Sequence, residues 1–330
     1  MSLINIFSAE GEALTENDLQ KAFSNIELYT NGFFIYDCTK EELNKLTGSL
    51  KSFSEMNYGE CSDDDILDGF IKALQINHVF AYTPQPYYLT KDELLFRVRS
   101  ASYSKLPYEK FRNEADCWNP PKDKATQGRL NKLHESMLYT TLGNPLICMD
   151  ECHIEIGNQF MLMVYSVLDE IEFSLIGGRL HPELEKKLTP NSLRYHQICT
   201  LFLNDFFSRP VDECNKEYYR VTDLLANRIF TNKEVGQRAW GYATVAGEDK
   251  RGFINLCIDP AIAKAHLQLK GVILGTRLSK NAIKIDGIVE SFDRDNGSPV
   301  YNKCISCTNL YHLLCQAKGK YALDFECTID

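Results

Sequence analysis

The chain has 330 residues, of which 44% are hydrophobic and 25% are charged, so it is long enough to bury one large core or two smaller ones. Its 45 acidic and 36 basic residues give a net charge of −9, which repels a phosphate backbone, and no dense run of lysine and arginine offsets it. Nucleic acid is therefore not an expected partner. No stretch approaches the ~18 apolar residues that span a bilayer, and the N-terminus lacks a basic region followed by an apolar one. These features predict a cytoplasmic protein that binds no membrane.

The first 90 residues are predicted to be mainly helical. A serine or threonine followed three residues later by an acidic residue is typical of a helix start, and this pattern begins at Thr15, Thr39 and Ser62. The three aspartates after Ser62 fit the positive end of a helix better than a metal site. Between the first two helices, Asn31-Gly32 and the apolar run after it indicate a turn that leads into a short strand.

A proline-rich stretch, Thr83-Pro84-Gln85-Pro86, separates this region from the rest of the chain. Proline interrupts a helix and favours extended backbone before it, so we place a domain boundary here. The predicted division is a mainly helical region at 1–90, regulatory or partner-binding, and a larger domain with a C-terminal extension at 91–330.

The larger domain is predicted to mix strands and helices, which makes the chain an α+β protein. Predicted strands cover 93–98, 137–141, 160–168, 240–244, 253–258 and 272–274. Predicted helices begin after Asn144, at 193, at 223 and after Pro260. The segment between 100 and 127 is irregular, and a turn-rich tail surrounds 293–299.

Twelve cysteines are spread along the chain, and several lie inside apolar runs where a thiol behaves as a small core residue. They are predicted to be mostly reduced. Cys304 and Cys307 form the single Cys-x-x-Cys pair, but a structural zinc site needs a second pair at similar spacing. We therefore predict no metal site and a reduced C-terminal segment.

The stretch 128–151 concentrates residues suited to a site. Arg129 lies in a short loop, Tyr139 in the strand after it, and Glu151 in a helix that begins at Asn144-Pro145. The connections between them are short. The sequence therefore predicts that a cation, an aromatic ring and a carboxylate lie together in a small site.

Arg97 stands among apolar residues of the predicted strand at 93–98. It is either a surface residue of an edge strand or a cation directed into a pocket, and composition alone favours the surface. Arg97 and Arg129 both have paired planar donors that suit phosphate oxygens. The alternative for each is an internal salt bridge with one of the many acids.

An ordered set of short motifs gives the chain a resemblance to the RES domain family, named for its arginine, glutamate and serine. The motifs, between about residues 94 and 266, are Phe96-Arg97-Val98, Pro120-Pro121, Ala125, Gly128-Arg129-x-Asn131, Leu138-Tyr139, Glu151, Arg209-Pro210-Val211, Tyr219-x-Val221-Thr222, Trp240-Gly241-Tyr242-x-Thr244 and Asn255. No single motif is specific, whereas the order of the whole set is.

The resemblance implies a mixed α/β RES domain similar to the ADP-ribosyltransferase fold, and an enzyme that consumes NAD by breaking its nicotinamide–ribose bond. It implies NAD as substrate and no cofactor, with inorganic phosphate or water as acceptor. It also implies a toxin or effector, with an antitoxin or immunity protein as partner. Two alternatives stay open: transfer of ADP-ribose to a protein or small molecule, and a binding module for NAD or ADP-ribose that has little or no turnover.

By resemblance, the catalytic positions are Arg97, Arg129, Tyr139, Glu151 and Thr244, and the NAD-binding positions are Arg97, Arg129, Asn131, Tyr139 and Asn255. Thr244 stands where the family has serine, so it keeps the hydroxyl but adds a methyl group. The loop from Tyr139 to Glu151 is slightly longer than in the family, which leaves Asp150 as a rival for the carboxylate role. The alternative for Glu151 is an acid in the first turn of a helix, where it would stabilise the helix.

Breaking the nicotinamide–ribose bond builds positive charge on the ribose in the transition state. A fixed carboxylate beside the sugar stabilises that charge, and Glu151 is the predicted carboxylate. The ring of Tyr139 is predicted to stack on nicotinamide or ribose, and Thr244 and Asn255 to hydrogen-bond the carboxamide or the ribose. Gly-x-Gly-x-x-Gly and the common phosphate-binding loop are absent, so neither a Rossmann dinucleotide site nor a common nucleotide hydrolase is indicated.

Overall fold

The computed structural model describes residues 27–28, 34–35, 38–76, 79–80, 85–180, 185–211, 215–231, 238–244, 253–321 and 324–327. The protein mixes helices with a large, mostly antiparallel sheet, as expected for the predicted α+β class. The predicted helix start at Thr15 and the predicted turn at Asn31-Gly32 lie outside the described residues.

The strands, in chain order, are β1 (Glu27–Leu28), β2 (Phe34–Ile35), β3 (Gln75–Ile76), β4 (Val79–Phe80), β5 (Gln85–Leu89), β6 (Leu94–Ala101), β7 (Leu138–Leu142), β8 (Gln159–Val167), β9 (Ile171–Ile176), β10 (Ala239–Ala243), β11 (Ile254–Ile258), β12 (Leu267–Arg277), β13 (Ala282–Phe292), β14 (Pro299–Tyr301) and β15 (Asp324–Cys327). The helices are α1 (Lys40–Ser54), α2 (Asp63–Leu74), α3 (Pro145–Glu151), α4 (Pro190–Ser208), α5 (Glu217–Arg228), α6 (Pro260–His266) and α7 (Asn309–Tyr321). Short 3-10 turns cover Glu114–Cys117, Lys122–Lys124 and Ile305–Cys307.

The large sheet has the strand order β14-β13-β12-β8-β6-β7-β11-β10-β9-β5, and β15 pairs with β13. The strands from β12 to β11 pair antiparallel, whereas β15 runs parallel to β13. β8 lies between β12 and β6 and is buried along almost its whole length. This confirms the predicted long central strand at 160–168, since a strand covered on both faces has a nearly continuous apolar sequence.

Two compact units make up the chain. The first contains Met1–Pro86, Gly128–Leu130 and Ser174–Gly236, and the second contains Tyr87–Gln127, Asn131–Phe173 and Gln237–Asp330. The first boundary, at Pro86, falls in the proline-rich stretch, but the first unit also takes in a much later part of the chain. A separate regulatory or partner-binding role for 1–90 stays a prediction.

Helices α1 and α2 of the first unit begin where the sequence predicts. The Thr39 hydroxyl accepts a hydrogen bond from the backbone N–H of Glu42, whose carboxylate accepts one from the N–H of Thr39. Ser62 and Asp65 make the same reciprocal pair at the start of α2. Each pair supplies acceptors for two backbone N–H groups, and one of these lies in the first turn, where it has no acceptor within the helix. The pair therefore fixes the residue at which the helix begins.

Aromatic side chains join these two helices to α4 and α5 within the first unit. The ring centres of Phe53 in α1 and Phe206 in α4 lie 5.6 Å apart, and those of Phe70 in α2 and Phe230, two residues after α5, lie 6.0 Å apart. Aromatic pairs at such distances contribute about 0.5–1.5 kcal/mol each beyond the area that they bury. The apolar faces of α1 and α2 are therefore covered by helices from a much later part of the sequence.

A buried histidine in α4 is expected to make stability depend on pH. His196 is 7% exposed, and burial lowers its pKa to about 4 from the ordinary 6.5. On acidification the unfolded chain takes up this proton before the folded protein does, so stability is full above about pH 6.5 and falls below it. We expect a loss of about 1 kcal/mol between about pH 6 and about pH 5 from this residue.

Urea unfolding of the wild type and of His196→Gln at both pH values measures this contribution. The wild type is expected to lose more stability on acidification than the variant. Equal losses would show that His196 does not cause the pH dependence.

The core of the second unit lies between α3 and the strands that it covers. Its buried apolar side chains come from α3, the segment after it, the central strands and α7: Phe96, Val98, Leu146, Cys148, Met149, Ile154, Phe160, Leu162, Val164, Ile273, Ile283, Ile285, Ile288, Leu310 and Leu314. α3 begins as predicted, with Asn144 Oδ1 accepting from Leu146 N at 2.9 Å and Pro145 in the first turn. It ends at Glu151, and His153, two residues later, has a φ of 52° that turns the chain away from the helix.

Cys304 and Cys307 form a disulfide, with their Cα atoms 5.4 Å apart. This corrects the prediction of a reduced C-terminal pair, because the 3-10 turn at Ile305–Cys307 brings the two residues within disulfide range. The other cysteines with described side chains form no disulfide, as predicted: Cys38, Cys61, Cys117, Cys148, Cys152, Cys199, Cys257 and Cys315.

Candidate functional site

One asparagine organises the loop before β7. The side-chain amide of Asn131 donates to the backbone carbonyls of Thr126, Lys132 and Glu135 at 2.8 to 3.0 Å, and its Oδ1 accepts from the Tyr139 hydroxyl at 2.8 Å. Asn131 is 3% exposed. The structure therefore shows Asn131 as the residue that holds the loop and Tyr139 together. Its contact with NAD stays a prediction.

Arg129, which belongs to the first unit, is a buried cation with one open donor. It is 9% exposed, and its Nη2 donates to the backbone carbonyl of Arg209 at 2.6 Å. Its guanidinium carbon lies 5.8 Å from the centre of the Tyr219 ring, which is a cation–π distance. Nη1 is buried and has no hydrogen-bond partner in the described part of the chain. Leaving such a nitrogen without an acceptor is costly, and an oxygen of a bound anion would satisfy it.

Arg97 and Arg99 extend from the same face of β6, two residues apart. Arg97 Nη1 donates to the backbone carbonyls of Cys117 and Trp118 at 3.3 and 2.5 Å, and Arg99 donates to those of Asp116 and Trp118 at 2.7 and 3.2 Å. Burial and the charge of Arg97 lower the pKa of Arg99 to about 10, so the guanidinium stays charged at neutral pH. Backbone carbonyls are neutral and do not balance the two positive charges, so Arg97 and Arg99 together are suited to bind an anion.

The two carboxylates at the end of α3 have different surroundings. Asp150 Oδ1 pairs with Arg277 Nη2 at 2.6 Å, and the Arg277 side chain is only 6% exposed. Arg277 also donates to the backbone carbonyl of Ile154 at 2.7 Å, so Asp150 belongs to a packed structural pair. Glu151 is half-buried and is the last residue of α3.

The position of Glu151 bears on its alternative role. An acid that stabilises a helix lies in the first turn, whereas the negative end of the helix dipole disfavours a carboxylate in the last turn. The expectation of a first-turn acid is therefore wrong for Glu151. With Asp150 paired to Arg277, Glu151 is the better candidate of the two for a carboxylate that acts on a ligand.

Pairing across the sheet shows which of the predicted residues share a face. Cross-strand partners lie on one face, and neighbours along a strand alternate. Thr141 of β7 pairs with Asn255 on one side and with Phe96 on the other. Tyr139 is two residues before Thr141 and shares this face. Arg97 is the neighbour of Phe96 and therefore projects from the opposite face.

α3 and Thr244 also belong to the Tyr139 face. Phe96 is part of the core that α3 covers, so Glu151 lies in a helix on that face. Thr244 is fully buried, and its backbone N–H donates to the carbonyl of Phe253 at 3.4 Å, which continues the pairing of β10 with β11 by one step. The structure thus brings the Tyr139 ring and Thr244 to the face that α3 covers.

Sequence reasoning missed three residues around these positions. Thr141 Oγ1 donates to Asn255 Oδ1 at 3.0 Å, which occupies the oxygen of a predicted NAD-binding side chain. Arg99 was not predicted, although its place two residues after Arg97 on one strand is a usable signal. Trp240 is fully buried, and its Nε1 has no acceptor in the described protein. An unpaired indole N–H of this kind costs about 1–3 kcal/mol.

No group of three or more histidine, cysteine, aspartate or glutamate side chains among the described residues is placed to hold a metal ion. Of the helices that the structure describes, none is both long and apolar enough to cross a membrane.

No family model matches the sequence. No curated protein matches it significantly either. The resemblance to the RES domain family is therefore an interpretation that depends on the residues themselves.

Proposed function

We propose that the protein is an NAD-consuming enzyme that breaks the nicotinamide–ribose bond, with phosphate or water as acceptor. The proposal includes a fold related to the ADP-ribosyltransferases, and the toxin or effector role and antitoxin or immunity partner that the RES resemblance implies. NAD is the substrate, and no other cofactor is required.

The main support for this proposal is that three arginines, Arg97, Arg99 and Arg129, have no carboxylate partner among the described residues. The chain has 45 acidic and 36 basic residues, so an arginine readily forms an ion pair with a carboxylate, as Arg277 does with Asp150. Arg97, Arg99 and Arg129 form no ion pair with a carboxylate of the described residues, and each donates to backbone carbonyls instead. Partly buried cations without counter-ions are costly in the free protein and favour a bound anion. The pyrophosphate of NAD and inorganic phosphate are anions of this kind. Arg97 and Arg99 project from the sheet face opposite Tyr139, so an anion bound to these two arginines lies on the other side of the sheet from the Tyr139 ring.

The surroundings of the other residues fit the proposed reaction. Glu151 would stabilise the positive charge that develops on the ribose as nicotinamide leaves. Asn131 holds the Tyr139 hydroxyl and so fixes the position of the ring that we propose to stack on nicotinamide or ribose. Thr244 supplies the hydroxyl that serine supplies in the family.

Replacing Arg129 by glutamine is expected to weaken NAD binding by about tenfold or more, because a hydrogen bond to a charged group contributes about 1.5–3 kcal/mol. The Michaelis constant should rise while kcat changes little, since pyrophosphate binding is similar in the ground state and the transition state. Steady-state kinetics of nicotinamide release measure both constants. Arg228→Gln, which changes another arginine of the first unit, is the control, and an unchanged Michaelis constant in Arg129→Gln would contradict the assignment.

The experiment that tests the function is nicotinamide release from NAD by the purified full chain, with and without inorganic phosphate. Release that requires phosphate identifies phosphorolysis, and release without it identifies hydrolysis. If NAD that is labelled in its ADP-ribose part transfers the label to a protein, the reaction is ADP-ribose transfer instead. Folded protein that binds NAD and releases no nicotinamide would overturn the proposed enzyme.

A further inference from the structure

The disulfide between Cys304 and Cys307 lies on the protein surface. Both cysteines are exposed, and only two residues separate them in the sequence. The other eight cysteines whose side chains the structure describes form no disulfide. Within the described residues, the chain therefore combines one accessible disulfide with a set of thiols that are not oxidised.

This disulfide contributes little to the stability of the fold. A disulfide stabilises mainly by restricting the unfolded chain, and the effect is small when the loop that it closes is short. Backbone hydrogen bonds also hold the turn, because the N–H of Cys307 donates to the carbonyl of Cys304 at 3.3 Å and the N–H of Thr308 donates to that of Ile305 at 3.1 Å. The bond can therefore open in the folded protein, which an exchange reaction requires.

The surroundings of Cys304 favour its release as a thiolate. Ser306 Oγ lies 3.5 Å from Cys304 Sγ, and because a disulfide sulfur carries no proton, the serine hydroxyl is the donor. Lys303, an exposed cation, is the residue before Cys304. A hydroxyl donor and a nearby cation both stabilise a thiolate. Cys304 is thus suited to be the leaving group when another thiolate attacks Cys307.

The turn between the two cysteines is connected to the core and to α7. Ile305 packs against the core of the second unit, to which Leu310 and Leu314 of α7 also belong. Thr308, directly after Cys307, accepts from the N–H of Tyr311 at 3.1 Å, as the residue at the start of a helix does. The state of the disulfide therefore bears on how firmly the first turn of α7 is held.

We propose that Cys304 and Cys307 are a thiol–disulfide exchange site for small thiols of the glutathione class, and that opening of the disulfide loosens the first turn of α7. This site has no part in the proposed cleavage of NAD and does not depend on it.

The reduction proceeds in two balanced steps. The thiolate of one small thiol attacks the Cys307 sulfur, so that a mixed disulfide forms, the Cys304–Cys307 bond breaks, and Cys304 leaves as a thiolate. A second small thiolate attacks the other sulfur of the mixed disulfide, which forms the disulfide of the small thiol and releases Cys307 as a thiolate. The protein disulfide gains two electrons, two small thiols are oxidised, and their protons pass to the two cysteines.

The test equilibrates the folded full-length chain with mixtures of reduced and oxidised glutathione, quenches with acid, alkylates the thiols and maps the peptides. Cys304 and Cys307 are expected to change together from disulfide to thiols as the share of reduced glutathione rises, and to return when oxidised glutathione is added. In Cys304→Ser, Cys307 should keep one bound glutathione, because no neighbouring thiolate displaces it. Cys315→Ser removes another exposed cysteine and should change none of this.

The role of Ser306 is tested by the rate of reduction. Ser306→Ala is expected to reduce about fivefold more slowly with glutathione than the wild type, because the leaving Cys304 thiolate loses a hydrogen bond. An unchanged rate would overturn the assignment of Cys304 as the leaving group.

Two results would overturn the exchange site itself. One is a disulfide that resists a large excess of reduced glutathione in the folded protein and opens only in denaturant, and the other is a pair of thiols that oxidised glutathione never joins. Hydrogen exchange measures the link to α7, whose first-turn amides are expected to exchange about threefold or more faster in the reduced protein. Equal exchange in the two states would overturn that link.

Discussion

Nicotinamide release from NAD by Glu151→Gln is expected to be about a hundredfold slower than release by the wild type, or slower still. Glutamine keeps the shape of the side chain and removes the negative charge, so the variant loses the electrostatic stabilisation of the developing ribose cation. The effect should appear in kcat more than in the Michaelis constant, because the charge on the ribose exists only in the transition state.

Glu155→Gln is the matched control, since Glu155 is an exposed glutamate of the segment that follows α3. Its rate should equal that of the wild type. A Glu151→Gln protein that is folded and as active as this control would remove Glu151 from the mechanism.

Asp150→Ala is expected to lower the free energy of unfolding by about 3 kcal/mol. The substitution leaves the guanidinium of Arg277 buried without its carboxylate, and removing one partner of a buried ion pair typically costs about 3–5 kcal/mol. We expect the lower end of this range because Arg277 keeps its hydrogen bond to the carbonyl of Ile154. Urea unfolding followed by circular dichroism measures the difference.

Asp169→Ala, at an exposed aspartate, is the control and should change stability by less than about 0.5 kcal/mol. The double variant Asp150→Ala, Arg277→Met should be more stable than Asp150→Ala alone, because it leaves no unpaired buried charge. Equal stability of Asp150→Ala and the Asp169 control would show that the ion pair contributes nothing.

Local patterns predicted the helix starts and the central strands well. The capping pairs at Thr39 and Ser62 and the Asn144-Pro145 start of α3 are confirmed, because a helix start is decided by a few neighbouring residues. The predicted helix at 193–207 is α4, Pro190–Ser208. Predicted strands at 240–244 and 253–258 match β10 and β11 to within one residue.

Elements that depend on distant partners were not predicted. The long strand β13 was missed because Gly287 breaks the alternation of apolar and charged residues that Ile283 and Ile285 begin, whereas pairing with β12 continues on both sides of this glycine. β12 itself extends far beyond the predicted 272–274 for the same reason. The helix α7 lies in a tail whose turn residues suggested irregular structure.

The candidate site could be predicted in composition and only partly in arrangement. The sequence placed Tyr139 in a strand and Glu151 in a helix, and both placements are confirmed. It could not choose between Asp150 and Glu151, because the choice depends on Arg277, which is far away in the sequence. Nor could it show that Arg97 projects from the face opposite Tyr139, since this depends on the register between β6 and β7.

The discontinuous first unit sets an order of events during synthesis. The aromatic partners of α1 and α2 include Phe206 in α4 and Phe230 just after α5, so those apolar faces stay open to water until the ribosome has passed residue 230. During that interval the nascent chain is a substrate for chaperones. For the same reason a chain divided at residue 90 would leave uncovered aromatic surface on both fragments, and each fragment alone would be prone to aggregate.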